Sequence, residues 1–204
     1  MLYRISVLSI LIISFLTKSI LSQTSYYVTS NGDDENSGLS ETEAFETLQR
    51  TADMVSAGDS VLVFPGNYTG FDIRRSGTSN LPIVFKAMNE SASGGVIIDK
   101  PNPVTNDGIN IEDADWIIID GFKVTNQPRA GIRIVLSDFV IIRNNYCTEN
   151  YKWGIFTGFT DDITIENNTC SYSEDEHGIY LSNSSDRPII INNHSFNNNA
   201  CAFI

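Results

Sequence analysis

The sequence has few positive charges and few cysteines, and these shortages narrow the possible functions. Lys and Arg number 13 against 25 Asp and Glu, which gives a formal charge of −12 at neutral pH. A chain this acidic is not expected to bind nucleic acid or a membrane surface, and a polyanionic partner would require a local basic patch or a bridging cation. The sequence also lacks a phosphate-binding glycine loop, a Cys/His zinc spacing and a serine nucleophile elbow.

Long apolar runs are also scarce, apart from one near the N-terminus. Residues 5–16 form an apolar run of about 12 residues after Arg4, with Ser22 as a small residue further on. A membrane span needs roughly 20 residues, so this pattern favours a secretory signal peptide over an uncleaved membrane anchor. We therefore expect removal of residues 1–22, and a location outside the cell or at its surface.

The part that remains, residues 23–204, is long enough for one domain with a substantial core. Loss of Arg4 and Lys18 with the signal peptide makes its formal charge −14. We expect an N-terminal cap over residues 26–60, coils over residues 61–204, and a monomer.

One short sequence motif occurs four times after residue 114. It begins at Asp115, Asp138, Asp161 and Asp186, with spacings of 23, 23 and 25 residues. A Gly or Ala followed by an apolar residue returns in step, at Gly131, Gly154, Gly178 and Ala202. A short period with strand-like content is typical of a solenoid, in which each unit buries its apolar face against its neighbours.

Each repeat has room for three short strands. The first alternates apolar and other residues, which is typical of a strand, and predicts one interior column of Ile119, Ile142, Ile165 and Ile190. The second strand holds Val124, Cys147, Cys170 and Ser195, and the third follows the repeated Gly. The fold class predicted is all-β: a parallel β-helix with three strands per coil of about 23 residues.

Asparagine pairs end the first strand of several coils. Asn144, Asn167 and Asn192 occupy a position that Gly121 fills one coil earlier. Asn tolerates the left-handed backbone conformation better than most residues, so we expect a sharp turn here. Stacked Asn side chains can also bond from coil to coil as a ladder, which makes a structural role preferable to a catalytic one.

The chain has three cysteines, Cys147, Cys170 and Cys201. The first two occupy the same point of successive coils, where stacking places Cα atoms about 4.8 Å apart, within reach of a disulfide. Because Val124 occupies this point one coil earlier, a small apolar core row is favoured, and a bridge stays the alternative.

Before the repeats, residues 41–56 have the apolar spacing of an amphipathic helix, with Ala44, Leu48, Ala52 and Val55 on one face and Gly58 as its stop. Strands are predicted at residues 61–64 and 83–86, joined through residues 65–68. Since an open solenoid end exposes apolar core and unpaired backbone, we expect the helix to cap it.

The chain resembles the right-handed parallel β-helix proteins of the pectate-lyase-like superfamily. The segments that carry the resemblance are YYVTSNG (26–32), AGDSVLVFPGNY (57–68), LPIVFKA (81–87) and HGIYLS (177–182). The resemblance covers residues 26–204 and implies a right-handed β-helix. Its members include polysaccharide lyases, epimerases and glycoside hydrolases, so the fold alone assigns no activity. The chain stops at Ile204 inside a strand, which leads us to expect a C-terminally truncated solenoid.

The resemblance also implies where substrate lies, along the strand that begins at each repeated Gly. The outward residues of this strand are Arg133, Phe156 and Tyr180, and the adjoining loop carries Arg129, Lys152 and Trp153. We predict that Trp153, Phe156 and Tyr180 contact sugar rings, and that Arg129 helps to hold carboxylates. The alternative is aromatic stacking that only stiffens an exposed strand.

A uronide lyase needs a base and a group that neutralises the substrate carboxylate. Lys152, Arg133 and His177 are the candidate catalytic residues, although His177 alternatively fills a turn. Glu174, Asp175 and Glu176 could collect Ca²⁺ through their oxygen atoms, although a solvated loop also explains them. No catalytic motif of the family matches residue by residue.

The function we predict is binding or cleavage of an acidic, uronic-acid-containing polysaccharide, by β-elimination if the protein is catalytic. The alternative is a non-catalytic β-helix domain of a cell surface or an adhesin. Calcium is the one cofactor that the sequence suggests.

The signal peptide makes a direct prediction. Protein recovered from the medium of expressing cells should begin at Gln23, because cleavage after Ser22 removes the whole apolar run. Mass spectrometry of the intact chain measures this. Exported or membrane-bound protein that still carries residues 1–22 would instead indicate an uncleaved anchor.

Overall fold

The computed structural model describes residues 23–88 and 95–203, so the predicted signal peptide and Ile204 lie outside the described residues. These described residues form eighteen strands and two short helical segments, η1 (Glu41–Glu43) and α1 (Leu48–Ala52). The strands are β1 (Ser25–Val28), β2 (Ser60–Val63), β3 (Gly66–Thr69), β4 (Phe71–Ile73), β5 (Ile83–Ala87), β6 (Val96–Lys100), β7 (Ile109–Glu112), β8 (Ile117–Asp120), β9 (Lys123–Thr125), β10 (Ala130–Val135), β11 (Ile141–Arg143), β12 (Tyr146–Thr148), β13 (Trp153–Gly158), β14 (Thr164–Glu166), β15 (Thr169–Ser171), β16 (Ile179–Ser182), β17 (Ile189–Ile191) and β18 (His194–Phe196).

The strands form three parallel sheets, and each complete coil gives one strand to each sheet. Sheet A has the order β1-β2-β5-β8-β11-β14-β17, sheet B β18-β15-β12-β9-β6-β3, and sheet C β16-β13-β10-β7-β4. This arrangement confirms the predicted all-β parallel solenoid with three strands per coil. Within the described residues, no helix is long and apolar enough to cross a membrane.

Stacking in register fills the interior. Ile119 pairs with Ile142, Ile142 with Ile165 and Ile165 with Ile190, which confirms the predicted column. The first three are fully buried, and Ile190 is 37% exposed at the end of the described stack. Each fully buried Ile stabilises the stack by about 1.5–3 kcal/mol. Each coil that adds an Ile to this column therefore adds a similar contribution to the free energy of unfolding.

At the corner between sheets A and B, the first residue of each Asn pair turns the chain. Asn144, Asn167 and Asn192 have φ of 56°, 55° and 54°, and Gly121 has 88°, as predicted. The second residue of the pair makes the buried bonds between coils. Asn168 accepts from the backbone N of Asn145 at 2.9 Å through Oδ1, and donates through Nδ2 to Ile142 O at 2.8 Å.

Side chains bridge the coils at the other two corners in the same way. Between sheets B and C, the backbone N of Gln127 donates to Asn150 Oδ1 at 3.1 Å. Between sheets C and A, the backbone N of Asp138 donates to Asp115 Oδ1 at 2.8 Å, and Asp161 and Asp138 repeat this contact.

Cys147 and Cys170 are register partners in sheet B, and both are buried without a disulfide. Val124 continues the same row, so the structure has the small core row that the sequence favoured. The hydrogen bond with Cys147 and burial both raise the pKa of the Cys170 thiol.

The predicted helix over residues 41–56 is wrong in extent, because α1 has only five residues. Phe45 instead pairs with β1, where it donates its backbone N–H to Tyr27 O at 2.9 Å and accepts from Thr29 at 3.0 Å. This pairing satisfies an edge strand that would otherwise expose its backbone. The predicted apolar face is nevertheless buried, at Ala44, Leu48, Ala52 and Val55.

The predicted connection through residues 65–68 is also wrong, because β3 of sheet B and β4 of sheet C lie between the two predicted strands, and β3 includes Gly66–Thr69. Tyr68 is buried, and its hydroxyl donates to Phe64 O at 2.6 Å. Pro65 therefore lies at the corner, and the residues after it continue the coil.

The bonds of Asn168 allow a matched test. Asn168→Ala should lower the free energy of unfolding by about 2–4 kcal/mol, because it removes the side-chain partner of the buried Asn145 N–H and of the Ile142 carbonyl. Asn167→Gly should change it by less than about 1 kcal/mol, because glycine suits the left-handed backbone. Denaturant unfolding measures both. Equal losses would contradict the assignment of the coil contacts to Asn168.

Candidate functional site

The outer face of sheet C carries one aligned row of side chains, which we call the sheet C row: Asp72, Asn110, Arg133, Phe156 and Tyr180. They align because each is the register partner of the next, one coil further along. The predicted outward positions of Arg133, Phe156 and Tyr180 agree with this register. The row is charged and polar at one end, and aromatic at the other.

The polar end is a connected network. Arg133 donates to Asn110 Oδ1 at 2.7 Å and to Glu112 Oε2 at 2.8 Å. Arg74 donates to Asp72 Oδ2 at 2.6 Å, and Asn110 Nδ2 donates to the same carboxylate. The hydrogen bond from Arg133 is the main cause that holds the pKa of Glu112 below its ordinary value, against the opposing effect of partial burial.

The aromatic end gathers three rings. Trp153 lies 4.6 Å from Phe156 and 6.0 Å from Tyr180 between ring centroids, and Phe156 lies 5.7 Å from Tyr180 in an edge-to-face contact. All three side chains are half-buried. The structure thus brings together the rings that the sequence predicted to contact sugars, which we call the aromatic platform.

Arg129 lies beside this face but is engaged by a buried carboxylate. Its Nε donates to Asp107 Oδ1 at 2.8 Å, and its Nη2 donates to the second oxygen of that carboxylate. This pairing raises the pKa of Arg129 above its ordinary value. Since Asp107 also accepts from the backbone of Ala130, the pair supports the start of β10.

Lys152 has a looser pairing. Its Nζ lies 3.7 Å from Asp175 Oδ2 and 5.4 Å from the Trp153 ring centroid, and its side chain is 36% exposed. The ammonium group therefore lies at the edge of the aromatic platform, close to solvent.

His177 contacts the platform from the next coil. Its ring lies 5.1 Å from Tyr180, and its Nε2 lies 3.4 Å from Glu176 Oε2. His177 Nδ1 and Trp153 Nε1 are both buried, and neither has a hydrogen-bond partner in the described part of the chain.

The predicted calcium ligands, Glu174, Asp175 and Glu176, do not converge. Asp175 faces Lys152 and Glu176 faces His177, while Glu174 is exposed. Among the described residues, no group of three His, Cys, Asp or Glu side chains could hold a metal ion. A calcium role stays a prediction.

Sequence reasoning missed the polar end of the row. Asp72, Arg74, Asn110 and Glu112 lie before the regular repeats, where coil lengths vary and no fixed period marks the outward positions. The available signal was indirect: alternation within FDIR (71–74) and INIE (109–112) places polar residues on one face.

A family model described as the Pel9A-like, right-handed β-helix region matches residues 26–203. The chain belongs to this β-helix family. The resemblance stated from the sequence is therefore confirmed, including the right-handed coil. No curated relative matches the chain.

Solved structures share the fold. Pectate lyase Pel9A matches with a TM-score of 0.77 at 19% identity, over 91% of this chain and 50% of that chain. A rhamnogalacturonan lyase has a TM-score of 0.63 at 18% identity, over 86% and 58%. An alginate lyase from Paenibacillus sp. str. FPU-7 has 0.61 at 19%, over 72% and 54%. Our chain spans about half the length of these lyases.

The polar network predicts a pH dependence. The pKa of Glu112 is lower in the folded chain, so its contribution to stability is present above the unfolded pKa of about 4.3 and is lost as pH falls through the folded value. Glu112→Gln should cost about 0.5–1 kcal/mol at pH 7, because the pair is partly exposed. The difference from the unsubstituted chain should shrink towards pH 3.

Glu174→Gln is the control, since that side chain is exposed. Unfolding in denaturant at several pH values measures both variants. A loss for Glu112→Gln that does not change with pH would contradict the role given to its charge.

Proposed function

We propose that the outer face of sheet C binds a uronic-acid-containing polysaccharide. The observation that carries this is the aromatic platform with Lys152 at its edge. Flat rings present apolar surface to the C–H faces of sugars, and an ammonium group attracts a carboxylate. Lys152, Trp153 and Phe156 belong to one coil and Tyr180 to the next, about 4.8 Å away, so one chain of sugars can contact them together.

The charges on the face favour Lys152 as the contact for a substrate carboxylate. Arg133 and Arg129 are held by carboxylates at hydrogen-bonding distances, whereas Lys152 and Asp175 are 3.7 Å apart. A substrate carboxylate could therefore approach Lys152 without breaking a buried pair. The overall charge of −12 opposes binding of a polyanion, so we expect affinity to depend on this local contact.

The structural relatives support a carbohydrate ligand. Pectate, alginate and rhamnogalacturonan lyases share the fold of this chain. Their activities belong to those proteins, and at this level of identity they support a class of ligand rather than a residue assignment.

If the bound chain is cleaved, β-elimination is the reaction that the cationic residues fit. Lys152 would first have to lose its own proton. The neutral amine would then take the proton from the carbon next to the carboxylate, the electron pair would form a double bond as the bond to the glycosidic oxygen breaks, and that oxygen would accept a proton as it leaves. A second cation would have to neutralise the carboxylate, and Arg133 is on the same face. His177 is the alternative base, and Ca²⁺ would serve as a bridge to the carboxylate.

We further propose that the protein acts outside the cell, as residues 1–22 indicate. The second candidate function is a non-catalytic surface or adhesion domain. It is favoured by the pairing of Arg129 and Arg133 with protein carboxylates, because paired cations are less available for catalysis.

A substitution in the platform tests the binding. Trp153→Ala should weaken binding of an oligogalacturonide by about tenfold, because it removes a large ring from the contact. Tyr146→Ala is the matched control, since Lys123 lies 5.9 Å from that ring on sheet B. Calorimetric titration measures both variants. Equal affinities for Trp153→Ala and the control would reject the platform as the binding site.

An assay of product release by the same protein distinguishes a lyase from an adhesin. A lyase should release unsaturated uronides, detected by ultraviolet absorbance, and Lys152→Ala should abolish the release. Addition of a chelator tests the calcium dependence. Binding without any product would support the non-catalytic function.

A further inference from the structure

A second apolar surface lies at the corner between sheets C and A, outside the face described above. Leu136, Phe139 and Phe159 are 54%, 39% and 54% exposed there. Trp116 stacks on Phe139, with ring centroids 4.0 Å apart and ring planes within 3°. Exposed apolar side chains that cluster on a folded chain indicate a binding surface more strongly than single ones do.

The backbone at these positions does not favour such residues. Leu136, Phe139 and Phe159 have φ of 53°, 56° and 55°, in the left-handed region where bulky residues are uncommon. The positions equivalent to Leu136 and Phe159 in neighbouring coils hold Asp113 and Asn183, which tolerate this conformation better, whereas the position of Phe139 holds Trp116, Asp162 and Arg187 in the other coils. The left-handed conformation recurs at all three corners of the coils, so Leu136 and Phe159 are distinguished by their apolar side chains, which are less stable in this conformation than Asn or Asp.

This surface continues the aromatic platform along one coil. The Phe156 ring lies over Gly158, where an added Cβ would be 3.5 Å from Phe156 Cε1. Phe159 follows directly, so Trp153, Phe156 and Phe159 follow one another along β13 and the corner after it. A ligand on the platform can therefore extend onto the corner.

The charges at the corner differ from those at the platform. Asp113, Asp138 and Asp162 lie at or beside the same corner positions, and Arg187 is paired with Asp162 at 2.7 Å. Carboxylates accept hydrogen bonds from hydroxyl groups and repel other carboxylates. The corner therefore suits a neutral, hydroxyl-rich ring better than a uronate.

We propose that Leu136, Phe139 and Phe159 form a second saccharide subsite that takes a neutral sugar, next to the uronate-binding platform. This rests on the proposed function for the carbohydrate nature of the occupant. It makes the expected ligand a polysaccharide with an acidic backbone and neutral residues or branches.

The left-handed backbone at Phe159 allows a substitution that removes the ring and should not destabilise the fold. Phe159→Asn removes the ring and places at the corner the residue type found in the next coil, so the variant should fold with equal or greater stability. Tyr172→Asn is the matched control, because Tyr172 has φ of 56° and is 49% exposed at a different corner. Denaturant unfolding verifies that both variants fold.

Calorimetric titrations with a neutral β-1,4-galactan oligosaccharide and with an oligogalacturonide test the subsite. Phe159→Asn should weaken galactan binding by about tenfold, with oligogalacturonide binding unchanged. Tyr172→Asn should change neither affinity. Lack of galactan binding by the unsubstituted chain, or equal galactan binding by both variants, would overturn the proposal.

Two further outcomes are informative. Self-association of the unsubstituted chain that Phe159→Asn abolishes would assign the surface to a second copy, and would overturn the sugar subsite. Failure of oligogalacturonide binding with galactan binding retained would reject the proposed function of the platform, and would leave the corner subsite standing.

Discussion

The register of the coils depends on the hydrogen bonds that hold one coil over the next at the corners. Strands satisfy their own backbone groups through the sheets. The corners have some backbone bonds between coils, such as Asp113 N to Val135 O and Asn126 N to Glu149 O, but other backbone groups there are paired by side chains. Asn145 and Asn168 supply the missing partners at one corner, Asn150 at the second, and the Asp115 and Asp138 carboxylates at the third. A slip of one residue would unpair these groups and turn the buried isoleucines outward.

The same register aligns the residues of the candidate site. Arg133, Phe156 and Tyr180 share one face because they are successive register partners, without any loop that folds over to gather them. A polysaccharide is also a repeating chain, so a row of side chains at coil spacing matches its geometry. The charge changes along and around this surface, from the paired cations near Arg133 to the carboxylates near Phe139.

The sequence predicted the regular part of the fold well, because a fixed period marks equivalent residues. Ile119 and Ile142 could be placed in one column from spacing alone, and so could Phe156 and Tyr180 on one face. The prediction failed where contacts between distant segments decide the structure. Phe45 pairs with β1 instead of continuing a helix, and its local sequence does not reveal this partner.

The site was predicted only in part for the same reason. The rings of the platform follow from the period, whereas the carboxylates that hold the cations come from irregular coils. Asp107 accepts from Arg129 and Glu112 accepts from Arg133, so these arginines are less available to bind a ligand. The positions of the two carboxylates can be read only from the three-dimensional register.

A crystal structure with a short oligogalacturonide bound tests the central claim most directly, because it reports the coil register and the ligand position together. Our account predicts sugar rings against Trp153 and Tyr180, a carboxylate beside Lys152, and Ile119, Ile142 and Ile165 in one interior column. A ligand bound away from sheet C, or coils stacked in another register, would contradict it.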